Sequence, residues 1–275
     1  MEMKGELKQF GFDPSLVKID ETHWTLGSIA SVILKEDGDW SAFLPIYEPQ
    51  AQDYETWACT CYGSLNQIEI LLKFLEGKEY NFAERYPYNG VGINPPGANP
   101  HDVYEWIRKQ GTIPQEVLPR PINFESFKYP RPMIQTYADM GLKWLQDYEF
   151  NHEWIMNPTH EDIASALKFS PIALSVTAWF FQNDLAVDAN QLNTHWACAF
   201  KAYPDGRIDV FDSYDHSVKT LDPKHKIQFA KRISILNKKK VIQEIQEPSY
   251  PKKHYWFIEI FLNLWQIIAS KFSNS

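Results

Sequence analysis

The clearest hydrophobic pattern in the chain lies between residues 58 and 78. Its apolar positions recur every three or four residues, at Cys61, Leu65, Ile68, Leu72 and Leu75. Its polar positions follow a second line, at Asn66, Glu69 and Lys73. This period predicts an amphipathic helix with Cys61 on its core side. Cys59 stands in the first turn of that helix, outside the apolar stripe.

Two further helices are marked by their first turns. Asn99 followed by Pro100 predicts the start of one helix, and Gly111 predicts its end. Thr159 and Asp162, three residues apart, predict the capped start of another helix over residues 163–168. The glycine- and proline-rich segments between these helices are expected to be loops.

In the later part of the chain the period changes from helical to alternating. Residues 171–176 predict a strand, and so do residues 194–201, with His195 on one face and Cys198 on the other. A turn containing proline and glycine then predicts a hairpin with residues 207–211. Helices first and an antiparallel sheet later predict an α+β fold of two packed halves.

The two ends of the chain differ from this central part. Residues 1–50 are polar with one short apolar run at 29–34, which predicts an N-terminal arm with a strand or two. Residues 237–275 begin with lysines and continue into a segment whose polar positions recur at helical spacing. They predict a basic linker and an amphipathic helix with a very broad apolar face. We expect residues 255–272 to pack on the domain, on a protein partner or on a membrane surface, since the segment is too short and interrupted for a confident span.

Composition narrows the class of protein. The chain has 275 residues, 44% of them hydrophobic, which is ample for a sizeable core. Its net charge of −8 argues against general nucleic-acid binding. Three cysteines cannot close a disulfide framework, and the charged N-terminus has no apolar signal region, so we expect a reducing compartment or a virion-associated protein. Neither a zinc-ligand spacing nor a phosphate-binding loop is present, so no cofactor or metal is expected.

The order of three residues suggests a chemistry. Cys59 opens a predicted helix, His195 lies on a distant predicted strand, and Asp212 follows the next strand. A helix N-terminus and a nearby imidazolium both favour a thiolate, and a carboxylate can hold the imidazole in the right tautomer. This order predicts covalent catalysis by a cysteine nucleophile.

Three segments resemble papain-like cysteine peptidases. The segment from Cys59 to Lys73 is similar to the family's nucleophile helix, including the Ile-Glu pair at 68–69, and Thr194 to Phe200 is similar to its histidine strand. Phe211-Asp212-Ser213-Tyr214 resembles its Asn-Ser-Trp motif, with aspartate in place of asparagine. His195 follows Cys59 by 136 residues, within the family's interval of roughly 130–150. The resemblance covers about residues 50–236, and more loosely suggests members carried by bacteriophages and uncultured bacteria.

The resemblance implies a peptidase domain over residues 51–236 with a Cys59-His195-Asp212 triad and a thioester acyl-enzyme. The family's oxyanion glutamine would stand at Asp53, so Gln52 is the expected donor, with Gln50 behind it. Pro96 and Gly97 are expected to present backbone to an extended polypeptide substrate.

Several alternatives stay open at this point. Cys61, which is followed by an aromatic residue, is the rival nucleophile, and Cys198 is expected in the core. The other seven histidines are interpreted as surface residues or local contacts. On the same fold, a cell-wall amidase or endopeptidase is one alternative function. A catalytically inactive structural or adaptor protein, of the kind found in virions, is another.

Overall fold

The computed structural model describes residues 11–19, 23, 32–188, 192–214 and 218–240. The helices are α1 (Cys59–Glu76), α2 (Arg85–Val91), α3 (Pro100–Gln110), α4 (Phe124–Phe127), α5 (Gln135–Asp147) and α6 (His160–Ala166). The strands are β1 (Gly11–Phe12), β2 (Gly97–Ala98), β3 (Tyr148–Met156), β4 (Ile172–Val176), β5 (Phe181–Gln182), β6 (Leu185–Ala186), β7 (His195–Ala202), β8 (Ile208–Phe211), β9 (Val218–Leu221) and β10 (Phe229–Asn237). Two 3₁₀ helices, Pro14–Leu16 and Ser41–Phe43, lie in the N-terminal part.

Eight strands form one sheet in the order β3-β10-β4-β7-β8-β9-β6-β5. Its central pairs, β10–β4, β4–β7, β7–β8 and β8–β9, are antiparallel, whereas β6 pairs with β9 in parallel. The α+β class expected from the sequence is therefore present, with α1 packed against β4 and β7 of the sheet.

Helix α1 is the central helix, and its sequence explains its bounds. It ends where Gly77 adopts φ +70° and donates its N–H to the carbonyl of Lys73. Every residue from 59 to 72 is buried, including the polar positions Asn66 and Glu69. Burial raises the pKa of Glu69 to about 8, although the carboxylate accepts a hydrogen bond from the N–H of Phe82 at 2.7 Å. Helix α1 is therefore enclosed on all sides over residues 59–72, so Asn66 and Glu69 of its polar stripe do not face solvent.

The capping signals identified the other predicted helices. The side chain of Asn99 accepts the N–H of His101 at 2.9 Å, and α3 ends at Gly111 as predicted. Thr159 and Asp162 form a capping box, although α6 runs over His160–Ala166 and so begins earlier than the predicted segment 163–168. Short α2 lies inside the segment predicted as a loop between residues 79 and 100.

The ends of the chain are only partly described. The described residues up to Leu236 form one compact unit, and the remainder, residues 237–275, is a second unit of which only 237–240 are described. The predicted C-terminal helix, including residues 255–272, lies outside the described residues. The described part of the N-terminal arm contains the short strand β1, whereas residues 32–34 of the apolar run 29–34 are not in a strand.

Candidate active site

Cys59 occupies the first position of α1, after Ala58. The backbone N–H groups of a first helical turn have no partners within the helix, and they create partial positive charge there. Trp57 adopts φ +52°, a left-handed conformation that turns the chain sharply into the helix. The thiol is fully buried at this turn.

Helix α1 approaches strand β7 closely at Gly63. A methyl group at that position would lie 2.9 Å from Cδ1 of Trp196 and 3.0 Å from its carbonyl oxygen. Only glycine therefore permits this separation between the nucleophile helix and the strand that begins with His195.

The sulfur of Cys59 lies beside the histidine strand. The backbone N–H of Trp196, the residue after His195, is close enough to the Cys59 sulfur to favour its thiolate form. Burial nevertheless raises the pKa of the Cys59 thiol well above its usual value, and the charges of Glu55 and Asp212 act in the same direction. The thiol is therefore neutral in this closed arrangement, contrary to the thiolate expected from the helix N-terminus alone.

His195 is fully buried and its Nε2 is hydrogen-bonded to Oδ1 of Asp212. The rings of Trp179 and Tyr214 stand edge-on to the imidazole, each with its centroid 5.6 Å away. Lys219, which sequence reasoning did not identify, donates to Oδ2 of Asp212 at 2.6 Å. The structure thus brings Cys59, His195 and Asp212 to one place, where α1 meets β7 and the end of β8.

The two candidate glutamines have different surroundings. Gln52 is exposed. Gln50 is fully buried, its N–H donates to the carbonyl of Ser213 at 2.9 Å, and its Oε1 accepts the hydroxyl of Ser213 at 2.7 Å. Its Nε2 donates to Glu55 at 3.0 Å. The glutamine beside the site is therefore Gln50, next to the residue that follows Asp212, and the preference for Gln52 is corrected on this ground.

Glu55 connects this glutamine to the turn before the helix. Its Oε1 also accepts the N–H of Trp57 at 2.6 Å. Burial raises the pKa of Glu55, while these hydrogen bonds and nearby His195 oppose the rise.

Gly97 of the predicted substrate-binding pair is in contact with the N-terminal arm. Strand β2 pairs in parallel with β1, so that Gly97 lies opposite Gly11. A methyl group on Gly97 would meet the carbonyl oxygen of Gly11 at 2.1 Å, and one on Gly11 would meet that of Trp57 at 2.2 Å. The expected backbone surface at Gly97 is therefore covered by this chain's own arm. Pro96, joined to Pro95 by a cis peptide bond, is exposed.

The next arm residue, Phe12, is only 1% exposed. Its ring centroid lies 5.6 Å from that of Trp196 and 6.1 Å from that of Phe229. The N–H of Asp13 then donates to the carbonyl of Ala98. Residues 11–13 thus lie across the region between Gly97, the turn before Cys59 and the histidine strand.

The other two cysteines are directed elsewhere. Cys61 is fully buried, and the charges that act on it are those of Glu84 and Arg131 rather than Glu55 and Asp212. Cys198 is also fully buried, and burial raises the pKa of its thiol. The surroundings of the two thiols therefore favour Cys59 over Cys61 as the cysteine of the candidate site.

Some histidines interpreted as surface residues or local contacts are in fact internal. His152 is 4% exposed and His225 is 2% exposed. His152 is bonded to Glu105 at 3.0 Å through Nε2, and its Nδ1 lies 2.9 Å from the ammonium of Lys231, which is fully buried. Nε2 of His225 accepts the N–H of Thr177 at 3.1 Å, so both histidines make internal structural contacts.

Comparison with known proteins identifies the fold. The chain superimposes on procathepsin L 3 of the Tenebrio molitor larval midgut with a TM-score of 0.52 and 10% identity, over 82% of this chain and 76% of that one. The chain has a papain-like fold. The clostridial cysteine protease Cwp84 after propeptide cleavage gives a TM-score of 0.52 at 10% identity, over 71% of this chain and 56% of that one. A structure concerning the mite allergens Blo t 1 and Der p 1 gives 0.51 at 9% identity, over 77% and 74%.

At these identities the comparisons establish the papain-like fold and not the activity. No protein-family model matches the chain, and no curated protein matches it. The suggested relation to phage-borne members is not addressed by any match and stays a prediction. Within the described residues, no helix is long and apolar enough to cross a membrane, and no cluster of histidine, cysteine and carboxylate side chains is arranged to hold a metal ion.

Proposed function

We propose that this chain is a cysteine peptidase that hydrolyses peptide bonds through Cys59, His195 and Asp212. One observation carries the proposal: Cys59 lies beside the backbone of Trp196, while the adjacent residue His195 is hydrogen-bonded to Asp212. A thiol, an imidazole and a carboxylate in this order are the elements that acyl transfer by a cysteine requires.

The proposed reaction has two stages. His195 takes the thiol proton of Cys59, the sulfur attacks the peptide carbonyl, and the imidazolium then protonates the departing amine. A water molecule, deprotonated by His195, attacks the resulting thioester, and the carboxylic acid leaves as the Cys59 thiol is restored. Asp212 holds the imidazole in its tautomer during both stages.

The developing oxyanion needs hydrogen-bond donors near the start of α1. The backbone N–H of Cys59 is one candidate, and Nε2 of Gln50 is the other, since Gln50 is held in place by Ser213. In the described arrangement this Nε2 donates to Glu55, so an oxyanion would replace the Glu55 carboxylate as its acceptor. Gln50 therefore takes the role first given to Gln52.

The arm must move before a polypeptide can reach the thiol. Cys59 is fully buried, and Gly11 lies against the turn that precedes it. A peptide that pairs with the backbone of Gly97 would have to displace β1. The proposal therefore includes an opening step in which residues 11–13 leave this surface.

The same burial favours the second candidate, a non-catalytic structural protein on the papain-like fold. A neutral, covered thiol and a glutamine bonded to Glu55 are what such a protein would show. The cell-wall amidase remains a variant of the first candidate, with a different amide as the substrate.

Digestion of a fluorescently labelled denatured protein and of purified peptidoglycan, side by side, tests these candidates. We expect the wild type and Cys61→Ala to cleave the denatured protein, and Phe12→Ala to cleave it faster than the wild type. Cys59→Ala should lose at least about 10³-fold in rate. Cleavage of peptidoglycan alone would favour the amidase. Cleavage of neither substrate, even by Phe12→Ala, would favour the non-catalytic protein.

A further inference from the structure

The buried lysine at the candidate triad takes no part in the proposed proton transfers. Lys219 lies on β9, which pairs with β8, and Asp212 directly follows β8. Its side chain is 3% exposed, and its Nζ donates to Oδ2 of Asp212 at 2.6 Å and to the carbonyl of Tyr214. The ammonium also stands 5.0 Å from the ring centroid of Trp179, the ring that contacts His195.

The carboxylate of Asp212 is shared between His195 and Lys219. Oδ1 accepts from His195 and from the N–H of Ser213 at 2.8 Å, whereas Oδ2 accepts from Lys219. Burial alone would raise the pKa of this carboxyl, but His195 and Lys219 outweigh it and hold the pKa below its usual value. Asp212 is therefore ionised, and its charge is shared.

His195 is faced by charged or titratable groups from several elements. Asp212 follows β8, Lys219 comes from β9, Glu55 precedes α1 and Cys59 begins it. Among the described residues, the phenol of Tyr214 is a further titratable group beside the ring. Of these neighbours Lys219 alone is cationic, and it opposes the carboxylates.

A lone buried carboxylate beside an imidazole would stabilise the imidazolium strongly. With Lys219 bound to its other oxygen, Asp212 forms a pair without net charge. His195 then meets a dipole that still orients the ring but attracts the proton less.

We propose that Lys219 is a positioning residue that fixes the Asp212 carboxylate and sets the proton affinity of His195. The inference rests on the proposed function, because it assigns Lys219 a part in tuning the general acid and base of that reaction. It also makes a claim about the imidazole that holds whether or not the chain hydrolyses a peptide.

The experiment compares the pH dependence of kcat/KM for the full-length wild type, Lys219→Met, Asp212→Asn and the double variant. Lys219→Met removes the ammonium and keeps the length of the side chain. We expect its acid limb, which reports protonation of the free imidazole that takes the thiol proton, to move up by about one pH unit, a tenfold change in proton affinity. The double variant exchanges the ion pair for a neutral pair, so its limb should return toward the wild-type position and its rate should exceed that of either single variant.

Lys201→Met is the matched control. Lys201 forms an ion pair with Asp39 at 2.8 Å, outside the candidate site, so its loss should leave the pH limb unmoved. Lys219→Arg keeps the charge and should also leave the limb in place. If Lys219→Met does not fold, the double variant and Lys219→Arg still decide the question. An unmoved limb in Lys219→Met, or a double variant no better than the worse single one, would overturn the proposal.

Failure of the proposed function would be visible separately, as absence of hydrolysis by the wild type. In that case NMR titration of isotope-labelled histidine, assigned with His195→Gln, measures the imidazole directly. A higher His195 pKa in Lys219→Met than in the wild type would support the role of Lys219, and equal values would refute it.

Discussion

The close approach of α1 to β7 at Gly63 predicts that one added methyl group will damage the candidate site. In Gly63→Ala the new Cβ would lie 2.9 Å from Cδ1 of Trp196 and 3.0 Å from its carbonyl oxygen. Carbon contacts prefer about 3.5 Å or more, so the helix or the strand must move apart by about half an ångström. Cys59 is one turn away on the same helix, and the backbone N–H of Trp196 lies close to its sulfur.

The expected magnitude follows from two opposing effects. Overpacking a filled interior costs about 1–3 kcal/mol, and replacing glycine by alanine within a helix returns about 1 kcal/mol. We expect a net loss of up to about 2 kcal/mol in the free energy of unfolding. Activity should fall by more than about tenfold, because a misplacement of 1 Å at a reacting pair can cost about 100-fold.

Urea unfolding and the hydrolysis assay measure these two effects in the same preparation. Ile233→Val is the control: Ile233 is buried in β10, and its truncation costs about 1 kcal/mol without touching the α1–β7 contact. The control should be destabilised and retain its activity. A Gly63→Ala variant with unchanged stability and unchanged activity would refute the argument that this contact sets the geometry of the site.

The remaining predictions concern pH, the arm and a helix end. Burial lowers the pKa of His152 to about 4, so the folded protein resists protonation of this imidazole. The free energy of unfolding should therefore fall by up to about 3 kcal/mol as pH falls from about 6.5 to about 4. Urea unfolding at both pH values should show a smaller fall in His152→Gln than in the wild type. Phe12→Ala should speed tryptic cleavage within residues 1–19 and alkylation of Cys59, and unchanged rates would contradict the covering role of the arm. Gly111→Ala should destabilise the protein by about 2 kcal/mol or more in thermal unfolding. Gly111 has φ +71°, and an added Cβ would lie 1.9 Å from the carbonyl oxygen of Gly141. A smaller loss of stability would contradict this argument, because it would mean that the backbone can move to relieve the clash.

Local signals predicted those parts of the fold whose cause is local. Asn99 and Gly111 bound α3 because a side-chain cap and a glycine end act within a few residues. The strands that begin with Ile172 and His195 were predicted because apolar, β-prone runs reveal buried strands.

Strands β3 and β10 were not predicted, because several of their buried positions are occupied by charged residues. Arg232 on β10 pairs with Glu153 on β3 at 2.5 Å, and Lys231 contacts His152 at 2.9 Å. Each charged residue alone suggests a surface position, and only the pairing of two distant strands makes its burial tolerable.

The candidate site was predicted only in part, because some of its residues lie in regular elements and others do not. Cys59 and His195 stand at the starts of regular elements, so their positions could be inferred from periodicity and order. Gln50 and Gln52 lie in an irregular segment, where no period indicates which one turns inward. The position of Lys219 beside Asp212 depends on the pairing of β9 with β8, which the sequence did not predict. The contact between Gly11 and Gly97 likewise joins segments far apart in sequence.

The central claim is that the sulfur of Cys59 reacts with the help of His195. The most direct measurement is the rate at which a peptide epoxide modifies each cysteine at pH 5.5, mapped by mass spectrometry in Phe12→Ala with and without His195→Ala. The account predicts modification at Cys59, with Cys61 and Cys198 unmodified, and a rate at least about 100-fold lower without His195. Equal modification of the three cysteines, or a Cys59 rate that is indifferent to His195, would contradict it.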